Sequence, residues 1–253
     1  MVGTFFLTDR GRVRQHNEDN GGTYYNKGNQ LLAIVADGMG GHRAGDVASS
    51  MAIGAFEEYW SKTETLRTSD EAEKWLEKHV KLVNEQVFKH AKVNTECDGM
   101  GTTLVLSVCI QGFITLAHIG DSRCYIIEKG EILIATEDHS LVNELVRSGQ
   151  ISKEDAEYHP RKNVLLRALG TDLSVQVDIK TLTNDDFDYI LLCSDGLSNK
   201  ISSEEIVNAL QENVSLEEKG KALVARANEN GGEDNITLVL IDFSNVQPES
   251  GER

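Results

Sequence analysis

Four aspartates stand where apolar runs end. Leu31–Ala36 leads into Asp37-Gly38-Met39-Gly40-Gly41, and Phe113–Ile119 leads into Gly120-Asp121-Ser122-Arg123. Tyr189–Cys193 leads into Ser194-Asp195-Gly196, and Asp234-Asn235 directly precedes the run that begins at Ile236. One Asp-Gly beside a strand is most often only a turn. Four at the ends of strands that pack together are different, because packing can bring those ends to one place. Two carboxylates about 4 Å apart repel by roughly 4 kcal/mol at an effective dielectric near 20. Such a cluster protonates, separates or binds cations, and few basic residues lie near these motifs to neutralise it. The donors are all oxygens, with no histidine or cysteine cluster among them, and hard oxygen ligands select Mg²⁺ or Mn²⁺. A carboxylate bridging two such ions holds them about 3.5–4 Å apart, the spacing used in phosphoester hydrolysis. The adjoining glycines leave backbone carbonyls open to metal and water.

A second polar group lies near the N-terminus: Arg12, Arg14, Asn17, Glu18 and Asp19. Alone it reads as a surface loop. Beside a metal centre, Glu18 can join a hydrated metal shell, and an arginine can grip phosphate oxygens with its planar fork. No GxxxxGK[ST] phosphate loop is present, which argues against a nucleotide-driven phosphotransferase.

These residues need elements to hold them. Apolar runs predict strands at Thr4–Thr8, Leu31–Ala36, Thr103–Ile110, Phe113–Ile119, Cys124–Glu128, Ile132–Thr136, Tyr189–Cys193 and Ile236–Phe243, with Val175–Leu182 joining by alternation. Gln111-Gly112 and Lys129-Gly130 each separate two runs by two residues, the spacing of antiparallel hairpins. Helical stripes follow Gly45 (Val47, Met51, Ala55, Tyr59) and continue at Trp75, Leu76, Val80, Val83 and Val87. Ser202 with Glu205, and Ser215 with Glu218, form capping boxes that open two more helices. Helices in pairs between blocks of strands, without strict alternation, give an α+β fold of antiparallel sheet covered by helices. Between about 140 and 170 the pattern changes to short helical turns and polar residues, as in an inserted subdomain. Residues 1–243 read as one domain, and 244–253 as a polar, disordered tail.

At this point the motifs resemble a family. Asp37-Gly38-Met39-Gly40-Gly41-His42, Gly120-Asp121-Ser122-Arg123, Ser194-Asp195-Gly196-Leu197 and Asp234-Asn235-Ile236-Thr237 are similar to those of type 2C (PPM) protein phosphatases. Arg14 with Asn17-Glu18-Asp19, and Gly99-Met100-Gly101-Thr102-Thr103, extend the likeness, which runs in order from about Phe5 to Phe243. The Asp-Gly-Met-Gly-Gly-His form resembles the bacterial branch, whose members commonly oppose membrane-anchored Ser/Thr kinases. The resemblance implies a sandwich of two mainly antiparallel sheets flanked by helix pairs, with 140–170 as a flap. It implies metal-dependent hydrolysis of phosphoserine and phosphothreonine by water, with two core Mn²⁺ or Mg²⁺ ions and a weaker third. Asp37 would bridge the core pair. The Gly38 carbonyl and, through water, Glu18 would complete one site, and Asp195 and Asp234 would hold the other. Asp121 with Asp195 would bind the third ion, and Arg14 the substrate phosphate. Met39 stands where many eukaryotic members carry a histidine proposed as general acid. His42 is the nearest substitute, with a structural role at the start of the next helix as its alternative. The partners expected are phosphorylated proteins, a Ser/Thr kinase among them. Two rivals are a catalytically inert binding module of the same fold and a two-metal hydrolase of small phosphoesters.

The bulk properties narrow the classes further. The 253-residue chain carries 41 acidic residues against 25 Lys and Arg, a formal charge of −16. That sign opposes nucleic-acid binding and adhesion to anionic membranes. Cys97, Cys109, Cys124 and Cys193 form no CxxC pair and lie mostly in or beside apolar runs, as reduced core residues do. No secretory signal is visible and no apolar run reaches membrane length. A cytoplasmic monomer is expected.

Overall fold

The structure is a computed structural model that describes residues 2–41, 44–184 and 186–244. One sheet contains β1 (Gly3–Asp9), β11 (Ile236–Asp242), β10 (Tyr189–Cys193), β7 (Arg123–Glu128) and β8 (Glu131–Ile134), in that order. The other runs β2 (Asp19–Tyr25), β3 (Leu31–Met39), β5 (Leu104–Ile110), β6 (Phe113–Ile119) and β9 (Asp178–Thr183), with β4 (Gly101–Thr102) paired to the end of β3. Neighbouring strands pair antiparallel throughout, and the hairpins β5–β6 and β7–β8 close at Gln111-Gly112 and Lys129-Gly130.

Strand alternation produces the layers. On β3, Leu31, Ala33 and Val35 face inward, meeting Ile126, Ile190, Leu192, Val239 and Ile241 of the opposite sheet. Leu32, Ile34 and Ala36 face outward beneath α1 (Ala44–Ser61) and α2 (Ser69–Val93). In the other sheet Tyr125, Ile127, Leu191, Leu238 and Leu240 face outward beneath α6 (Ser203–Gln211) and α7 (Leu216–Glu229). The result is a four-layer sandwich: helix pair, sheet, sheet, helix pair. Burial on both faces makes its central strands read as continuous apolar runs.

The strands expected from those runs all occur, with ends displaced by a few residues. β2 went unseen because Asp-Asn-Gly-Gly-Thr-Tyr-Tyr contains no apolar run; pairing with β3 makes it a strand. The stripe expected on α1 needs correction. Val47, Met51, Ala55 and Tyr59 lie on its flank, while the fully buried line is Ala48, Ala52, Phe56 and Trp60. The four-residue spacing is as read, but the buried face is displaced by one residue and runs from two small alanines to Phe56 and Trp60. The α2 stripe is buried as read, and the capping boxes at Ser202 and Ser215 form with Glu205 and Glu218.

Between β8 and β9 the chain forms α3 (Leu141–Arg147) and α4 (Lys153–Glu157). Leu141 N–H donates to Val164, Leu166 N–H to His139, and Leu169 exchanges two bonds with Thr102. The four cysteines are buried and free. Among the described residues no helix is long and apolar enough to cross a membrane. His42 and residues 245–253 lie outside the described residues, and with them the acid role and most of the tail.

Candidate active site

Pairing of β2 with β3 sets Asp19 directly opposite Asp37. The Asp37 amide donates to Thr103 Oγ1 at 2.9 Å, and its carbonyl accepts from Thr103 N–H (2.8 Å) and Thr102 Oγ1 (2.9 Å). Thr103 Oγ1 also lies 2.7 Å from Ser122 Oγ, which ties the Asp37 strand to the Asp121 turn. Gly38 N–H donates to the Glu18 carbonyl at 3.1 Å. A Cβ at Gly38 would overlap the carbonyl oxygens of Gly45 and Glu18, so only glycine permits this approach.

The N-terminal loop is anchored by Asn235. Its Oδ1 accepts from Glu18 N–H at 2.8 Å, and its Nδ2 donates to the Arg10 and His16 carbonyls at 2.9 Å each. Asp234 thereby comes beside Arg14, whose Nη2 donates to Asp234 Oδ2 at 2.8 Å. Asp195 opens α5 (Asp195–Ser198), and the preceding Ser194 donates to Asp19 Oδ2 at 2.7 Å. Asp37, Asp121, Asp195, Asp234, Glu18, Gly38 and Arg14 all line one open cavity of about 280 Å³. Arg12 does not; it lines a separate groove beside Lys221 and Asn228.

Electrostatics sharpen the picture. Burial, then the charges of Asp19, Asp195, Asp121 and Asp234, hold the Asp37 carboxyl well above its ordinary value. Burial pushes Asp19 up to about 7, with Asp195 and Asp234 adding to the rise. Asp121 is also raised to about 7, by burial and then by Asp195 and Asp138. Asp195 is raised by burial and by Asp234, and Glu18 by burial against the opposing pull of Arg14. The buried oxygens Asp195 Oδ1, Asp19 Oδ1 and Asp46 Oδ1 have no hydrogen-bond partner. Uncompensated buried carboxylate oxygen is costly in a protein interior. An all-oxygen donor set with orphaned oxygens fits a hard divalent cation.

Residues 8–240 match the model of the protein phosphatase 2C family. The chain belongs to that family. It is 49% identical over 242 residues to serine/threonine phosphatase Stp of Listeria welshimeri, covering 96% of each chain. Among solved structures it superposes on Stp1 of Staphylococcus aureus with a TM-score of 0.91 at 39% identity, covering 96% of this chain and 95% of that one. The catalytic domain of phosphatase PstP, determined with 2 manganese ions, gives a TM-score of 0.82 at 34% identity, covering 95% and 97%. The two-sheet sandwich is thus the phosphatase 2C fold, and metal dependence comes with the family. None of the carboxylates expected from the motifs is missing, which disfavours the inert-module rival. The sequence motifs include Asp19, Ser194 and Asn235 without giving them a role, and do not include Asp46. Asp19 carried a signal in its place beside Glu18; the others acquire their positions only through packing.

Proposed function

We infer that this phosphatase hydrolyses phosphoserine and phosphothreonine in proteins with water activated at cations held by the aspartate cluster. The carrying observation is the convergence of Asp37, Asp121, Asp195 and Asp234 from four strand ends, with a buried Asp195 oxygen left unpaired. Asp37 would serve two Mn²⁺ or Mg²⁺ ions. The Gly38 carbonyl and Glu18 would complete one site, Asp195 and Asp234 the other, and Asp121 with Asp195 would hold a weaker third. Bound cations supply Lewis acidity, which activates water and offsets phosphoryl charge.

The chain's own residues do the rest. Arg14 is about half exposed at the cavity and bonds Asp234 through one nitrogen, leaving donors for phosphate oxygens. Asp19, fixed by Ser194, backs Asp37 across the strand pair. The thioether of Met39 has no proton to give, so on sequence grounds His42 is the candidate donor to the departing serine or threonine oxygen. The segment 140–170 would act as a flap beside the cavity, where Asn163 and Leu165 form part of the wall. Substrates would include a Ser/Thr kinase, in a cytoplasm that keeps the four thiols reduced.

The test is phosphate release from phosphoserine and phosphothreonine peptides by metal-stripped protein. Release should be absent after stripping and return with Mn²⁺ or Mg²⁺. Full turnover without metal would overturn the mechanism. Faster turnover of nucleotides than of phosphopeptides would overturn the substrate assignment.

A further inference from the structure

His118 on β6, His139, and Asp178 on β9 bring three ligand atoms within 4.8 Å of one another, and none of the three lines the aspartate cavity. The two imidazoles stack with centroids 4.5 Å apart. This trio resembles a metal site, but its neighbours argue otherwise. Arg167 Nη1 lies 2.8 Å from Asp178 Oδ1 and 3.3 Å from His139 Nε2, where its positive charge would repel a cation. The Gly120 N–H donates to His139 Nδ1 at 3.2 Å. Nδ1 therefore carries the lone pair, and Nε2 carries the hydrogen and donates to Asp178 Oδ2 at 3.2 Å. Both ring nitrogens are engaged.

The ends of this chain of bonds give it meaning. Gly120 immediately precedes Asp121, and His139 N–H also donates to the Gly120 carbonyl at 2.8 Å. The neighbouring Asp138 takes Arg123 in a two-pronged bond, 2.9 Å to Nε and 2.7 Å to Nη2. Consecutive residues Asp138 and His139 thus grip both ends of the Gly120–Arg123 turn, and Asp121 is the residue that follows the gripped Gly120. At the other end, Arg167 belongs to the segment joining β8 to β9, whose Leu166 N–H bonds the His139 carbonyl at 2.8 Å.

We propose that His139 is a positioning residue for Asp121, oriented by Asp178 and Arg167, so that the seating of the 140–170 segment sets how firmly Asp121 holds its cation. The inference rests on the reading of Asp121 as a cation ligand. Groups that orient a ligand from behind typically change metal affinity about 10- to 100-fold when removed.

Two substitutions separate the bonds. His139→Asn keeps an acceptor near Nδ1 for the Gly120 amide, whereas His139→Gln reaches toward Asp178 and abandons that amide. The measurements are Mn²⁺ binding isotherms of the metal-stripped chain and, in chelator, hydrogen exchange of the peptide containing Gly120 and Asp121. His139→Gln should weaken the weakest class of Mn²⁺ binding about 10- to 100-fold, spare the tight class and speed exchange at Gly120. His139→Asn should return both readouts to within a few-fold of the parent. Arg167→Gln, at a side chain one-third exposed, is the milder cut and should shift both in the same direction. Equal behaviour of the Asn and Gln variants overturns the positioning role, as does a parent-like isotherm for both His139→Gln and Arg167→Gln. Asp121→Asn separates the two ideas. If it leaves the weak class intact, the cation reading of Asp121 fails and the inference falls with it. If it abolishes the weak class while His139→Gln does not touch it, the positioning role alone is refuted.

Discussion

At the scale of residues, the site is a set of carboxylates that cannot all be ionised without compensation. Among the described residues, Arg14 is the basic side chain in the cavity wall, paired with Asp234 at 2.8 Å. That pair is partly exposed, so solvent screens it and its removal has little bearing on stability. The remaining donors of Arg14 would serve phosphate oxygens in the cavity that it lines. A hydrogen bond to a charged group contributes roughly 1.5–3 kcal/mol, so Arg14→Ala should lower kcat/KM on a phosphopeptide by about 10- to 150-fold. Arg14→Lys should recover part of this, because an ammonium lacks the planar pair of donors. Unchanged kinetics in the alanine variant would remove Arg14 from phosphate binding, and Arg12, in another groove, is no ready replacement. His42 is tested by leaving groups. A serine alkoxide needs a proton as the P–O bond breaks, while 4-nitrophenolate departs with little help, and general acid catalysis typically supplies about 10²–10⁴-fold. His42→Ala should therefore slow phosphopeptide hydrolysis strongly and 4-nitrophenyl phosphate hydrolysis much less. Equal losses on both substrates would point to a damaged cavity, and no loss on either would place the proton source elsewhere.

At the scale of elements, strand register and close backbone contact decide where the carboxylates point. A one-residue slip of β2 against β3 would take Asp19 out from opposite Asp37 and turn its side chain to the other face of the sheet. Helix α5 carries Asp195 to the cavity because Gly196 lies against the Asn235 carbonyl, where a Cβ would overlap the oxygen. Gly196→Ala should accordingly shift Asp195 and depress both stability and activity. Ser202→Ala is the contrast, since it removes only the α6 cap, at a residue that does not line the cavity. It should cost about 1 kcal/mol in denaturant unfolding and leave turnover per folded molecule unchanged. If Gly196→Ala proved as mild as Ser202→Ala in both assays, the close α5–β11 contact would not be what places Asp195.

At the scale of the whole molecule, folding concentrates charge and bound cations relieve it. Asp19 and Asp121 are raised from an ordinary 3.8 to about 7, and Asp37 is likewise held well above its ordinary value. Between those values the folded chain holds protons that the unfolded chain has released. The cluster's contribution to the stability of the metal-free protein is therefore fully present below about 4 and is lost as pH rises toward and through about 7. Cations held by the cluster would reverse the trend, because they would compete with its protons and bind the folded chain in preference to the unfolded one. Thermal midpoints in chelator should decline from pH 5.5 to 7.5, while saturating Mn²⁺ should lift the midpoint most at pH 7.5. A flat profile in chelator would show that the cluster does not carry this charge.

Much of this was legible in the chain itself. Asp37, Asp121, Asp195 and Asp234 announce themselves because each follows or precedes an apolar run, and such a run has nowhere to go but a buried strand. The hairpin turns and capping boxes are equally local, fixed by the backbone needs of two or three neighbouring residues. Oxygen-only donors name the class of cation for the same reason. Other features had no local signature. β2 is polar and glycine-rich, and only pairing with β3 makes it a strand. The buried line of α1 runs through Ala48, Ala52, Phe56 and Trp60, one residue away from the stripe the spacing suggests, because both stripes are apolar and only packing on the sheet chooses between them. Asn235 binding Glu18 across 217 residues, and His139 binding Gly120, depend on segments distant in sequence meeting in space. Residue types and spacings determine what chemistry is available, because ligand hardness and strand burial are properties of short stretches. Which oxygens are left without partners, and which side chains hold them there, is decided by packing.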